Sequence, residues 1–109
     1  MPDAPAVLVQ GTLDMLILKT LALEPLHGFG ITIRLEQMSR GVFRVNPGTL
    51  FPSLKRLERD GLVASDWRTT ENNRRAKYYT LTPKGRRQLK DEQTAWGRQV
   101  AAIARILEA

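Results

Sequence analysis

With 109 residues, 42% apolar and 26% charged, the chain has the size and composition of one soluble globular domain. The absence of cysteine and the single histidine, His27, exclude disulfides, thiolate chemistry and any cysteine or multi-histidine metal site within one chain. The net charge of +6 is concentrated: residues 40–90 hold 13 Lys or Arg against 4 Asp or Glu, and the remainder is slightly acidic. A basic run is often only solvated surface, but one that coincides with a reading motif marks a polyphosphate partner.

In chain order, the first ten or so residues, with two prolines, read as a loose arm without the basic start and long apolar run of a secretory signal. No apolar run approaches membrane-spanning length, so a cytoplasmic protein with no membrane partner is expected. Leu13, Leu16, Ile17, Thr20 and Leu21 repeat at helical spacing, with Thr12 as the expected N-cap and Pro25 ending the helix. Leu26 to Gly30 reads as a turn, with His27 a structural residue in it. A second helix follows, drawing apolar surface from Ile31, Ile33, Leu35 and Met38, and Gly41 closes it. Arg44 to Asn46 reads as a brief extended connection.

Asn46 then caps a third helix with Pro47 at its first position. Leu50, Leu54 and Leu57 form its inward stripe and Asp60-Gly61 its end. Leu62 to Arg68 and Lys77 to Leu81 read as two strands around an Asn72-Asn73 turn. Tyr78 and Tyr79 point to opposite faces, one core and one free, and the pattern does not say which. Thr82-Pro83 starts a last helix by the same cap-then-proline logic. Helix, strand, basic turn, strand is the order of a winged helix-turn-helix. The expected fold is therefore α+β, mostly α: one domain over 1–109, with a DNA-binding core over about 12–81 and a long dimerisation helix over about 83–108.

On the third helix, Thr49, Ser53 and Arg56 are the expected base contacts. Pro47, Gly48 and Thr49 lie where free N–H groups and the helix dipole favour an anion. Lys55 and Arg59 suit phosphates, or Arg59 simply pairs with a neighbouring acid. In the hairpin, Arg74, Arg75 and Lys77 sit where a wing meets the minor groove or backbone. Gly85, Arg86 and Arg87 either extend this face or are ordinary helix surface. In the last helix Leu89, Trp96 and Ile103 recur by sevens, with Val100 and Leu107 four residues after the latter two. Such a seam packs lengthwise on another helix. A two-fold dimer suits palindromic DNA, so a second chain is the expected partner. Trp96 is then a dimer-core aromatic or, doubled at the axis, a slot for a flat ligand that Asp14 and Met15 could line. No nucleophile–base pair, phosphate loop or metal cluster is present, and Glu58, Asp60 and Glu71 read as surface charge. No enzyme, cofactor or metal is expected. A winged module gripping an acidic protein is the competing reading.

These pieces resemble PadR-type bacterial transcriptional regulators over nearly the whole chain. The resemblance is carried by GTLDMLILKTLA, HGFGI, GTLFPSLKRLERDGLV, RRAKYYTLTPKG and DEQTAW. Within that family the chain is most similar to a short subtype, the acidobacterial permease-associated set. The resemblance implies a homodimeric repressor on an inverted-repeat operator, its dimer built by the terminal helices. It also implies a tryptophan pair at the dimer centre, with Trp96 in the matching place, that receives planar aromatic or hydrophobic compounds. Thr49, Phe51, Lys55, Arg74 and Lys77 match family positions that approach DNA. Phe51 and Phe29 stand where the family usually has tyrosine, which at Phe51 removes a hydroxyl-to-phosphate contact.

Overall fold

The computed structural model describes residues 9–109, so most of the expected N-terminal arm lies outside the described residues. Four helices and a small sheet follow in the order α1 (Gln10–Leu23), β1 (Leu26–His27), α2 (Gly28–Met38), α3 (Pro47–Arg59), β2 (Val63–Thr69), β3 (Arg75–Leu81) and α4 (Pro83–Glu108). The fold is α+β and mostly helical, as the sequence pattern predicts.

α1 is the central element. It packs against α2, α3, α4 and β3, and Leu13, Ile17, Leu18 and Thr20 on it are almost completely buried. Thr20 satisfies its hydroxyl within the helix, donating to the Leu16 carbonyl at 2.7 Å. The expected Thr12 cap is not used. The helix begins at Gln10, after an extended Val9 with no side-chain cap, and the Leu13 amide already donates to the Val9 carbonyl. The added turn brings the Gln10 amide beside Arg56, a tertiary contact that cap chemistry alone does not foresee.

Leu26 and His27 are likewise not merely a turn. They pair with Tyr79 and Tyr78 as a third, antiparallel strand, giving the sheet order β1-β3-β2. The His27 ring also caps α2, its Nδ1 accepting from the Gly30 amide at 2.9 Å. Ile31 and Leu35 of α2 enter the core, whereas Ile33 and Met38 stay half exposed. Beyond Met38 the Gly41 amide returns to the Glu36 carbonyl at 2.8 Å and closes the helix.

α3 is capped as expected, Asn46 Oδ1 accepting from the Thr49 amide at 2.9 Å ahead of Pro47. Leu50, Leu54 and Leu57 are buried beneath it. Gly61, at φ +75°, takes the left-handed conformation that turns the chain from α3 into β2. β2 and β3 pair in register from Val63↔Leu81 to Thr69↔Arg75. Asn73, at φ +58°, makes the turn between them. Tyr79 is the core tyrosine; Tyr78 on the other face meets the His27 ring edge-on at 5.2 Å.

Thr82 Oγ1 accepts from the Gly85 amide and starts α4. A Cβ at Gly85 would overlap the Leu62 carbonyl, so glycine is what lets the root of α4 lie against the end of α3's loop. Within α4 only Gly85 and Leu89 are buried. Leu89 is thus a core residue, not part of an external seam: it sits nearly two turns into the helix, where α4 is still over the domain. The whole helix is a 26-residue rod of roughly 39 Å, and beyond Leu89 none of its residues is buried. No helix among the described residues is long and apolar enough to cross a membrane.

Candidate nucleic-acid interface

α2 and α3, joined through residues 39–46, form the helix pair, and the β2–β3 hairpin extends beside α3. Opposite its leucine stripe, α3 exposes Pro47, Gly48, Thr49, Phe51, Pro52, Lys55 and Arg59. The N-terminal groups lie in the first turn, where amides lacking intrahelical partners favour a phosphate or base acceptor. Pro52, within the helix, has no N–H to offer the Gly48 carbonyl, so an acceptor is also left open on this exposed side.

Two expected base contacts are turned inward. Ser53 is 3% exposed; its hydroxyl donates to the Thr49 carbonyl and accepts from Arg56. It stands three residues after Leu50 and four before Leu57, on the buried stripe itself. Arg56 is tied to α1: its Nη2 lies 2.8 and 2.9 Å from the two carboxylate oxygens of Asp14. Asp14, expected to line a ligand slot, is instead committed to this partly buried pair. A charge-assisted bond in such a setting is worth more than an exposed one and fixes α3 on α1.

In the wing, Arg74 and Arg75 are exposed. Arg75 lies over the Trp67 ring at 5.6 Å from its centroid, and Arg68 over Tyr78 at 5.2 Å. Lys77 reaches Glu58 of α3 at 3.6 Å and the Tyr79 ring at 5.9 Å. Glu58 also accepts from the Ser65 hydroxyl, so one carboxylate fastens α3 to both strands. Burial raises the Tyr79 hydroxyl above its ordinary pKa, with Lys77 opposing and Glu58 adding to the shift. An open cleft of about 490 Å³ separates wing from helices, lined by His27, Phe29, Phe51, Asn72, Arg74, Arg75 and Lys77 among others. It gathers on one side Phe51 and all three wing cations expected to approach DNA. Trp67 stands outside the expected site residues; its signal in the sequence is a large aromatic placed where a hairpin outruns its domain.

Along α4, Trp96, Val100, Ile103 and Leu107 are 41–78% exposed, as is the adjacent Ile106. Met15 of α1 and Trp96 meet in a shallow cleft of about 280 Å³ with Gly11, Thr12, Glu92, Ala95 and Gln99. Glu92 there binds Gln88 through one oxygen, while the other has no partner among the described residues. No group of acidic or histidine side chains able to hold a metal occurs among the described residues.

A helix pair whose second member stands next to a two-stranded wing defines the winged helix-turn-helix class. The chain belongs to the PadR-like family of transcriptional regulators, whose profile matches residues 17–91. It is 42% identical over 69 residues to a transcriptional regulator of Mycobacterium tuberculosis, covering 63% of this chain and 61% of that one. It is 40% identical over 85 residues to a 37.1 kDa protein in a Streptomyces fradiae transposon, covering 78% of this chain and 23% of that protein. The chain thus spans less than two thirds of either relative. Among solved structures it is similar to a PadR family regulator from Eggerthella lenta: 32% identity, TM-score 0.79, covering 92% of this chain and 85% of that one. A Streptococcus mutans structure gives 26% identity and TM-score 0.82, covering 99% and 95%. The family, the Mycobacterium tuberculosis relative and the Eggerthella lenta structure are named as transcriptional regulators, which are not enzymes.

Proposed function

We propose that the protein is a homodimeric transcriptional repressor that binds an inverted-repeat operator in double-stranded DNA and is released by a small planar aromatic or hydrophobic effector. The observation that carries the DNA reading is the cationic, aromatic-lined cleft between the exposed side of α3 and the wing, together with +6 net charge. In this reading the first turn of α3 (Pro47, Gly48, Thr49) and Lys55 enter the major groove, with Phe51 against the backbone. Arg74, Arg75 and Lys77 approach the flanking groove. Phosphate contacts set register and affinity, and base-edge contacts set sequence.

The dimer is supported by the uncovered stripe Trp96–Val100–Ile103–Leu107 on a projecting helix. Two chains joined there would place two heads on one face of a duplex, about one helical turn apart. The effector reading rests on the Met15–Trp96 cleft, half of a slot that a second copy would complete. A coupling of about 1–3 kcal/mol between slot and head spacing would suffice for a response of about tenfold. In this reading the protein is of the short, permease-associated subtype, and residues 1–109 act as one unit in the cytoplasm. Fluorescence anisotropy on duplexes from the region upstream of its own gene tests the DNA reading. Binding far tighter than to random duplex at moderate salt is expected, and equal affinity would contradict it.

A further inference from the structure

The wing carries a tryptophan that the interface above leaves unused. In the β2–β3 register Trp67 faces Lys77 and Ser65 faces Tyr79, so Ser65, Trp67, Arg75 and Lys77 share one face of the hairpin. Ser65 and Lys77 both reach Glu58 of α3, so this face looks toward the recognition helix. α3 ends at Arg59 and does not cover the outer hairpin. Trp67 is therefore 59% exposed on the sheet's edge strand, a placement that invites adhesion unless it serves a purpose.

Its cation–π partner among the described residues is Arg75, whose guanidinium carbon lies over the ring 5.6 Å from the centroid. Among the described residues, five other arginines lie against carboxylates: Arg34, Arg44, Arg56, Arg59 and Arg68. A carboxylate engages the N–H edge of guanidinium, whereas an indole engages its flat face. Arg75 is thus restrained with no side-chain donor consumed among the described residues. We propose that Trp67 is a positioning residue for DNA recognition: it holds the face of Arg75 so that its N–H edge meets acceptors of the minor groove or its flanking phosphates. This rests on the DNA-binding reading above. Arg74 and Lys77 make the surroundings cationic, which suits a polyanion, and narrow minor grooves draw arginine in particular. Pre-stacking lowers the entropy lost when the guanidinium docks.

A double-mutant cycle tests it, on a duplex recovered from a random pool by selection with the unaltered protein. Trp67→Ala should weaken binding about 2- to 5-fold, the scale of an exposed cation–π contact. It should leave the salt slope unchanged, because no charge is removed. Arg75→Ala should weaken binding at least as much and reduce the slope by about 0.9 per subunit. The double variant should match Arg75→Ala alone, and Trp67→Phe should recover most of the affinity. Both side chains are exposed, so thermal midpoints should hold. Full binding by Trp67→Ala, or additive losses in the double variant, would overturn the positioning role while leaving DNA binding intact. Failure of the unaltered protein to select any duplex would overturn both.

Discussion

α3 and α4 are both amphipathic, yet their apolar stripes meet opposite fates. In α3, Leu50, Leu54 and Leu57 are at most 3% exposed, sealed by α1 and the sheet. In α4, the stripe is covered only at Leu89; from Trp96 onward it is open. A helix that keeps a hydrophobic seam over several turns, uncovered among the described residues, is suited to a surface elsewhere. The same patterning therefore does two jobs. One stripe fixes the reading head to its domain, and the other, on our reading, fixes one domain to another.

Paired substitutions sharpen that contrast. Ile103→Asp, placing a charge in the open seam, should abolish self-association, visible as a halved mass in light scattering with unchanged circular dichroism. An unaltered mass would show that the seam is not the joint. Leu54→Ala in the closed stripe should cost about 2–5 kcal/mol of stability in urea titration, at any protein concentration. A loss below about 1 kcal/mol would mean that α3 is not held by that stripe. Asp14→Ala should cost about 1–3 kcal/mol, because it leaves the Arg56 guanidinium half buried without its carboxylate. Asp14→Ala in an Arg56→Ala background should cost much less, and equal losses would deny the coupling. Arg74→Ala should weaken binding to all duplexes alike and flatten the salt dependence by about 0.9 per subunit. A changed base preference would instead assign Arg74 to sequence reading.

The smallest effect concerns Tyr79. Its hydroxyl is shifted upward by burial, so the folded state disfavours the phenolate. The associated stability is intact below the unfolded tyrosine pKa of about 10 and is lost as pH rises from there through the folded value. Tyr79→Phe should therefore unfold less steeply above about pH 10, while a titration identical to that of the unaltered chain would refute the assignment.

Much of the fold was legible because local chemistry and global packing agree. Asn46-Pro47 and Thr82-Pro83 cap the helices they were expected to cap, and the hairpin forms around Asn73. Reading failed where tertiary contact overrides local preference. Thr12 lost its cap role to a longer α1, and Leu26-His27 became a strand because β3 offered an open edge. Polarity misled at Ser53, whose spacing from the leucines already marked it as inward. Arg56 and Asp14 lie 42 residues apart, and a partnership at that distance has no local signature. The first turn of α3 and the wing cations of the candidate site were legible from the sequence. The Trp67–Arg75 contact required the strand register.

The most direct measurement of the central claim is the mass of the complex with one selected duplex, by mass photometry or sedimentation at moderate salt. The account predicts two chains on one duplex, and Ile103→Asp should reduce this to weak binding of single chains. One chain per duplex for the unaltered protein, or two chains that persist in Ile103→Asp, would contradict it.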